Sequence, residues 1–346
     1  MATLKKIGEE LGLSVATVSR ALNGFPEVKE TTRNRVREVA DRLGYRPNRV
    51  AQRLVTGRSG MVGMIVKIKP DMSADQTFFE MLTGLTAALS EREIDLVLAV
   101  DQAEDPVLPY QRMLERDVLD GFILNAPVPD DPRVSFLQER GIPFVLHGQD
   151  RACPNYPTFG IDNFAVSTDS VRLLAQLGHR RIALINGEVS AAFAHDRLAA
   201  FEAAMEDFGL NKDLIRTGAS LESHGYSQAL DLLSAATPPT AIICASTVIA
   251  AGAMRAIRDR GLSVPGDVSV MAHDDALPQT RAINFEPALT VTRAPMRDAC
   301  APLAHMLVDH LNGTPAHELQ VTLKADLIIR GSTGPAPKPE ISDGPR

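Results

Sequence analysis

Ser14, Thr17, Ser19, Arg20 and Asn23 place hydroxyls, a guanidinium and a carboxamide within ten residues, at spacings of three and four that line one side of a helix. Groups of this kind donate to phosphate oxygens, and the guanidinium fork of Arg20 fits the edge of a base such as guanine. The chemistry is recognition of a polyanion. A second set lies far downstream, where Asn125, His147, Asn186, Ser246 and His273-Asp274-Asp275 each follow a short apolar run. Amide and carboxylate edges match the vicinal hydroxyls of a sugar. Phe78 and Phe79 are suited to forming an apolar wall against a sugar or base face. The sequence contains no G-x-G-x-x-G, P-loop, H-E-x-x-H or G-x-S-x-G. It offers no catalytic constellation, and an enzyme is not expected. Cys153, Cys244 and Cys300 are odd in number and lack C-x-x-C spacing, so they read as reduced core residues, with no zinc site and no cofactor expected.

Each set needs a scaffold. Leu4, Ile7 and Leu11 define an amphipathic helix that ends at Gly12, and Ser14 caps a second helix from Val15 to Leu22. A third, from about Thr31 to Leu43, turns Val36, Val39, Ala40 and Leu43 inward and leaves Arg33, Arg35, Arg37 and Arg42 for the outer face. These form an all-α helix-turn-helix domain over residues 1–47. Residues 48–60 read as a hinge helix and linker, too short to be helical alone because nucleation outweighs two turns of propagation.

From Met61 the pattern changes to short apolar strands alternating with amphipathic helices. The expected strands are Val62 to Ile68, Leu96 to Val100, Gly121 to Leu124, Phe144 to Leu146, Ile182 to Asn186, Ala241 to Cys244 and Val268 to Ala272. Alternation of this kind builds parallel sheets covered by helices, here an α/β body of two doubly wound lobes over residues 61–333. The N-lobe is expected at about 61–160 and 292–318, and the C-lobe at about 161–291 and 319–333. Ligands of such bodies bind between lobes, at the carboxyl ends of the strands. Residues 334–346 are poor in apolar side chains and are expected to be disordered.

Charge divides along the same line. The first 58 residues hold 12 Lys and Arg against 6 Asp and Glu, whereas the remainder holds 24 against 37. A basic head can be drawn to phosphates while the acidic body stays off them. No apolar run reaches the roughly 18 residues of a membrane span, and the N-terminal segment mixes charge into every turn, so a cytoplasmic, nucleoid-associated protein without membrane contact is expected.

The run Leu13-Ser14-Val15-Ala16-Thr17-Val18-Ser19-Arg20-Ala21-Leu22-Asn23, with Val28, Thr32-Arg33, Gly44-Tyr45-Arg46-Pro47-Asn48, Ala51 and Leu54, resembles the LacI/GalR family of bacterial transcription regulators. The resemblance extends through a periplasmic-binding-protein-like body to about Ser332. It implies a homodimeric repressor on double-stranded operator DNA, controlled by a small-molecule effector such as a sugar. Val15, Ala16 and Arg20 would face the major groove, with Thr17, Ser19, Asn23 and Thr32 nearby on phosphates and Ser14 also among the DNA-binding residues. In the hinge, Asn48, Arg49, Gln52 and Leu54 would contact DNA, Leu54 as a minor-groove wedge.

For the effector the resemblance implies Phe79, Asn125, Arg197, Ser246 and Asp274, to which the strand-end reading adds Phe78 and His147. Three departures make the pocket atypical: Ser246-Thr247 replaces the common Asn-Asp, Ala200 the Gly, and His273 the Tyr. The segments at Phe144-Val145-Leu146-His147-Gly148 and Leu177-Gly178-His179-Arg180-Arg181 resemble regulators of α-glucoside use most closely, whereas Phe78-Phe79 sits where purine-responsive members carry an aromatic pair. A purine corepressor is therefore the alternative effector. A solute-binding transport protein shares such a body but would not carry the head.

Overall fold

The computed structural model describes residues 3–45, 58–67, 76–116, 118–150 and 155–338. The chain divides into two compact units, one formed by Met1–Met61 with Val118–Asp120 and the other by the remainder.

In the first unit, α1 (Leu4–Leu11), α2 (Val15–Leu22) and α3 (Glu30–Arg42) enclose Ile7, Val18, Ala21, Val28, Val36, Val39 and Ala40. Thr3 and Ser14 cap the first two helices by accepting the N–H of Lys6 and Thr17. The turn between them requires glycine twice. Gly12 has φ +65°, and a Cβ on Gly8 would lie 2.5 Å from the Leu13 carbonyl oxygen. Farther along, the Asp120 carboxylate accepts from the backbone of Ser59 at 2.7 Å and Gly60 at 2.8 Å, which fixes the chain just after the hinge segment.

The second unit holds two six-stranded sheets. The first has the order β11-β5-β4-β3-β1-β2, built from β1 (Met61–Lys67), β2 (Asp95–Asp101), β3 (Gly121–Leu124), β4 (Phe144–His147), β5 (Thr158–Ile161) and β11 (Gln320–Leu323). The second has the order β12-β10-β9-β8-β6-β7, built from β6 (Ile182–Asn186), β7 (Ile215–Thr217), β8 (Ala241–Cys244), β9 (Ser269–Asp274), β10 (Thr290–Arg293) and β12 (Asp326–Ile328). In both, the strand order reverses beside the first strand in sequence, the switch point at which open α/β sheets bind ligands.

Helices α4 (Gln76–Ser90), α5 (Leu108–Leu114), α6 (Pro132–Glu139) and α11 (Cys300–Leu311) belong to the first lobe, and α7 (Asn163–Gln176), α8 (Ala192–Asp207), α9 (Glu222–Leu233) and α10 (Thr247–Asp259) to the second. Cys244 and Cys300 are free and buried, while Cys153 lies outside the described residues.

Two expectations are corrected. Segment 319–333 is divided between the lobes, because Gln320–Leu323 pairs in parallel with Thr158–Ile161 of the first sheet, and only β12 joins the second. The tail also begins later than its composition suggests. Gly334 donates its N–H to Ser269 Oγ at 3.0 Å and accepts from His179 Nε2 at 3.1 Å, and Ala336 N–H bonds Leu177 O at 2.9 Å. Backbone hydrogen bonding orders this segment without apolar side chains. Residues 339–346 lie outside the described residues.

Candidate functional sites: a helix face and a cleft

The start of α2 is open to solvent: Ser14, Val15, Ala16 and Arg20 are exposed, Val15 at 46%. Val18 and Ala21 hold the opposite face in the core, so helical periodicity directs the polar set outward. Ser14 Oγ accepts Thr17 N–H at 3.1 Å and lies 2.8 Å from Thr17 Oγ1, while Asn23 Nδ2 reaches Ser19 Oγ at 3.4 Å. These bonds prealign hydroxyls that retain lone pairs or hydrogens for a further partner. Thr32 is half-buried on α3.

The outer arginines are not equivalent. Arg33 turns inward and donates to the carbonyls of Phe25 at 3.1 Å and Val28 at 3.3 Å, strapping the loop between α2 and α3, and Arg42 pairs with Glu10. Of the four arginines expected outward, Arg35 and Arg37 remain as exposed cations with no partner among the described residues. Asn48, Arg49, Gln52 and Leu54 lie outside the described residues.

In the body, the candidates meet at strand ends from both lobes. Asn125 follows β3 and His147 ends β4, with Asn125 Oδ1 and His147 Nδ1 2.9 Å apart. Across from them, Arg197 on α8 is 5% exposed; its Nε donates to Asn163 Oδ1 at 2.8 Å and its Nη1 to Ala245 O at 2.9 Å. The guanidinium also lies 5.2 Å from the Phe193 ring centroid. Ser246 caps α10 by accepting Ile249 N–H at 3.2 Å, which leaves its hydroxyl hydrogen free to donate.

Electrostatics identifies Asp275 as the acid facing this group. Burial would push its carboxyl up, but the His273 ring, then Arg197 and His147, hold it below the usual carboxylate range. His273 is itself pushed toward the neutral form by burial, then by Arg197, and the Arg197 guanidinium adds to the His273 ring in holding Asp275 ionised. Burial lowers Arg197 to about 10, leaving it a cation at neutral pH, and lowers His147 to about 4, leaving it neutral.

Asp274 is occupied elsewhere. One oxygen accepts Ala276 N–H at 2.8 Å and the other lies 3.6 Å from Arg293 Nε. The sequence reading therefore favoured the neighbour of the residue that faces the cleft group, and it missed Asn163, which orients Arg197. β9 ends at Asp274, and the chain alone does not show which of two consecutive aspartates at a strand end points inward. Phe78 packs on the first lobe's core and meets Phe79 edge-on at 5.6 Å; Phe79 is 48% exposed. No ring contact joins Phe79 to the cleft group among the described residues.

The neutral histidines predict a pH dependence. From about pH 6.5 down to 4, His147 takes up a proton in the unfolded chain but not in the folded one. Stability therefore rises with pH across this window, by at most about 1.4 kcal/mol per pH unit for each such histidine. Urea midpoints measured from pH 4 to 7 should climb, and His147→Gln should flatten the slope. An unchanged slope would show that His147 is protonated in the folded chain.

Known proteins share this architecture. Residues 3–48 match the family model for bacterial regulatory proteins of the lacI family, and residues 171–333 match a periplasmic binding protein-like domain. The HTH-type transcriptional regulator AglR of Rhizobium meliloti is 41% identical over 337 residues, covering 96% of this chain and 95% of that protein. Among solved structures, the transcriptional regulator CelR-cellobiose complex is 29% identical with a TM-score of 0.69, over 96% of this chain and 100% of that one. The lac repressor dimer bound to operator and an anti-inducer, 24% identical over 96% of this chain and 99% of that one, has a TM-score of 0.78 and shares the fold. These relatives are regulators and not enzymes, and no described helix is long and apolar enough to cross a membrane. The helix-turn-helix head, the two-lobed body and the near full-length identity together make this chain a member of the LacI family, a DNA-binding transcriptional regulator.

Proposed function

We propose that the chain is a homodimeric repressor whose operator affinity is set by a neutral sugar, an α-glucoside, held between the lobes of the body. One observation carries the choice of a sugar. The cation Arg197 and the anion Asp275 offset each other beside a neutral Asn125–His147 pair. A charge-balanced site rich in donors and acceptors suits a polyol better than an ion. The cellobiose held by a two-lobed relative, a β-glucoside, supports a disaccharide, and the α linkage rests on the segments around His147 and His179.

On the DNA side, Arg20 reads a base edge, Val15 and Ala16 pack against thymine methyls, and Ser14, Thr17, Ser19, Asn23 and Thr32 hold phosphates. The hinge residues Asn48, Arg49, Gln52 and Leu54 complete the contact. The work is done at the chromosome, in a cytoplasmic, nucleoid-associated setting. The dimer rests on β2, an edge strand of the first sheet with Leu98 39% and Val100 52% exposed. An uncovered apolar edge invites pairing. The exposed Phe79 ring favours a second reading, a purine stacked on it.

Thermal-shift titration of the purified chain separates the two. An α-glucoside should raise the melting temperature and change operator affinity, and a purine should do neither. A shift with purines alone would replace the sugar reading. Leu98→Glu should convert the dimer to a monomer in sedimentation and abolish operator binding; a dimer that persists would move the interface off β2.

A further inference from the structure

A cavity of about 360 Å³ lies outside the cleft group, beside β10 and β12, lined by Asp274, Arg281, Ile283, Arg293, Ile328 and Arg330 among others. Three guanidiniums thus face one carboxylate in a body that is otherwise acidic. Their restraint is incomplete. Arg330 Nη1 donates to Leu289 O at 2.7 Å, which anchors one of its three nitrogens and leaves Nε and Nη2 for the cavity. Arg293 Nε stands 3.6 Å from Asp274, beyond hydrogen-bond reach. Arg281 is exposed, and its side chain has no hydrogen bond or ion pair among the described residues.

From this convergence we propose that the cavity binds a phosphate group, free or carried on an organic ester. Guanidinium forks match the paired oxygens of a phosphate, and charge-assisted bonds of this type are stronger than neutral ones. Ile283, 59% exposed, and Ile328 supply an apolar wall where the substituent of an ester would rest. The site adjoins the sugar cleft: it reaches Asp274, whose neighbour Asp275 faces that cleft, and a second cavity lined by Asp275 shares Ala276, Arg281 and Arg293 with it. An anion that draws Arg293 away from Asp274 acts on the end of β9, which carries Asp274 and leads into Asp275.

The test uses the full chain without DNA, titrated calorimetrically with inorganic phosphate and with phenyl phosphate at constant ionic strength set by chloride. Saturable binding at one site per chain is expected for at least one probe. Arg281→Gln should weaken it about tenfold or more, whereas Arg258→Gln, an exposed arginine away from the cavity, should not. Arg330→Gln should act like Arg281→Gln; the Arg281 side chain makes no hydrogen bond among the described residues, so its variant stays informative if the Arg330 variant unfolds. Tighter binding of phenyl phosphate that is lost in Ile283→Ala identifies an ester as the ligand, and equal binding of the two probes identifies free phosphate. Heats that never saturate for either probe, or equal losses in the Arg281 and Arg258 variants, overturn the proposal.

Discussion

Arg133→Met is expected to destabilise the body by about 3–5 kcal/mol, the cost of stranding one partner of a buried ion pair. Arg133 Nη2 lies 2.6 Å from Asp131 Oδ2, and the two side chains are 13% and 1% exposed. The same guanidinium donates to the carbonyls of Asn125 at 3.2 Å and Ala126 at 3.3 Å. It therefore holds a loop whose Ala126 has φ +48°, a left-handed conformation unfavourable for alanine. That loop supplies Asn125 to His147 and Pro127 O to the N–H of Ala192 on the other lobe, at 2.8 Å. Loss of Arg133 should accordingly weaken effector binding as well as folding.

Asp131 keeps two backbone donors, Val128 N–H and Arg133 N–H, so the lower end of the range is the better expectation. The double variant Arg133→Met with Asp131→Asn should recover part of the loss, since no unpaired carboxylate then remains. Urea unfolding of the four proteins of the cycle checks this. A single variant within 1 kcal/mol of the parent would mean that water replaces the guanidinium at little cost.

The head was almost fully legible because its signals are local: the Ser14 cap, the Gly12 break and the inward spacing of Val18 and Ala21 each act within a few residues. Strands such as Gly121–Leu124 and Ala241–Cys244, buried on both faces, are apolar along their length and equally readable. Of the strands that were missed, Ile215–Thr217 lies at a sheet edge and is a strand only because Ile182–Asn186 offers hydrogen bonds, whereas Thr158–Ile161 and Thr290–Arg293 are buried inside their sheets but only four residues long. The same tertiary dependence moved Gln320–Leu323 into the first lobe and tied Gly334 to His179 and Ser269. Arg33 shows the limit for side chains. Helical spacing puts it on a polar face, but the carbonyls of Phe25 and Val28 that it straps belong to a loop whose path periodicity does not encode.

Arg197→Lys is expected to weaken effector binding by about 2–5 kcal/mol, roughly thirty-fold to several thousand-fold, while leaving operator binding by the effector-free protein intact. The guanidinium uses one N–H on Asn163 and one on Ala245 O, which leaves three of its five for an effector. All of these point in fixed directions from a plane seated against Phe193. A lysine ammonium has three donors and no plane; to reach an effector it must release Asn163 or Ala245, and either release leaves a buried acceptor unpaired. The charge survives, so Asp275 should stay ionised in this variant. In Arg197→Met its carboxyl should titrate at higher pH than in the parent, because a cation that offsets the burial of Asp275 is gone. The helix-turn-helix head belongs to the other compact unit and contains neither residue, so both variants should still bind operator. Anisotropy of labelled operator, titrated with the effector found by thermal shift, measures both properties at once. Retained operator affinity with a lost effector response is the expected pair, and an Arg197→Lys protein that responds at the parental effector concentration would show that a point charge alone suffices and that the fork plays no part in recognition.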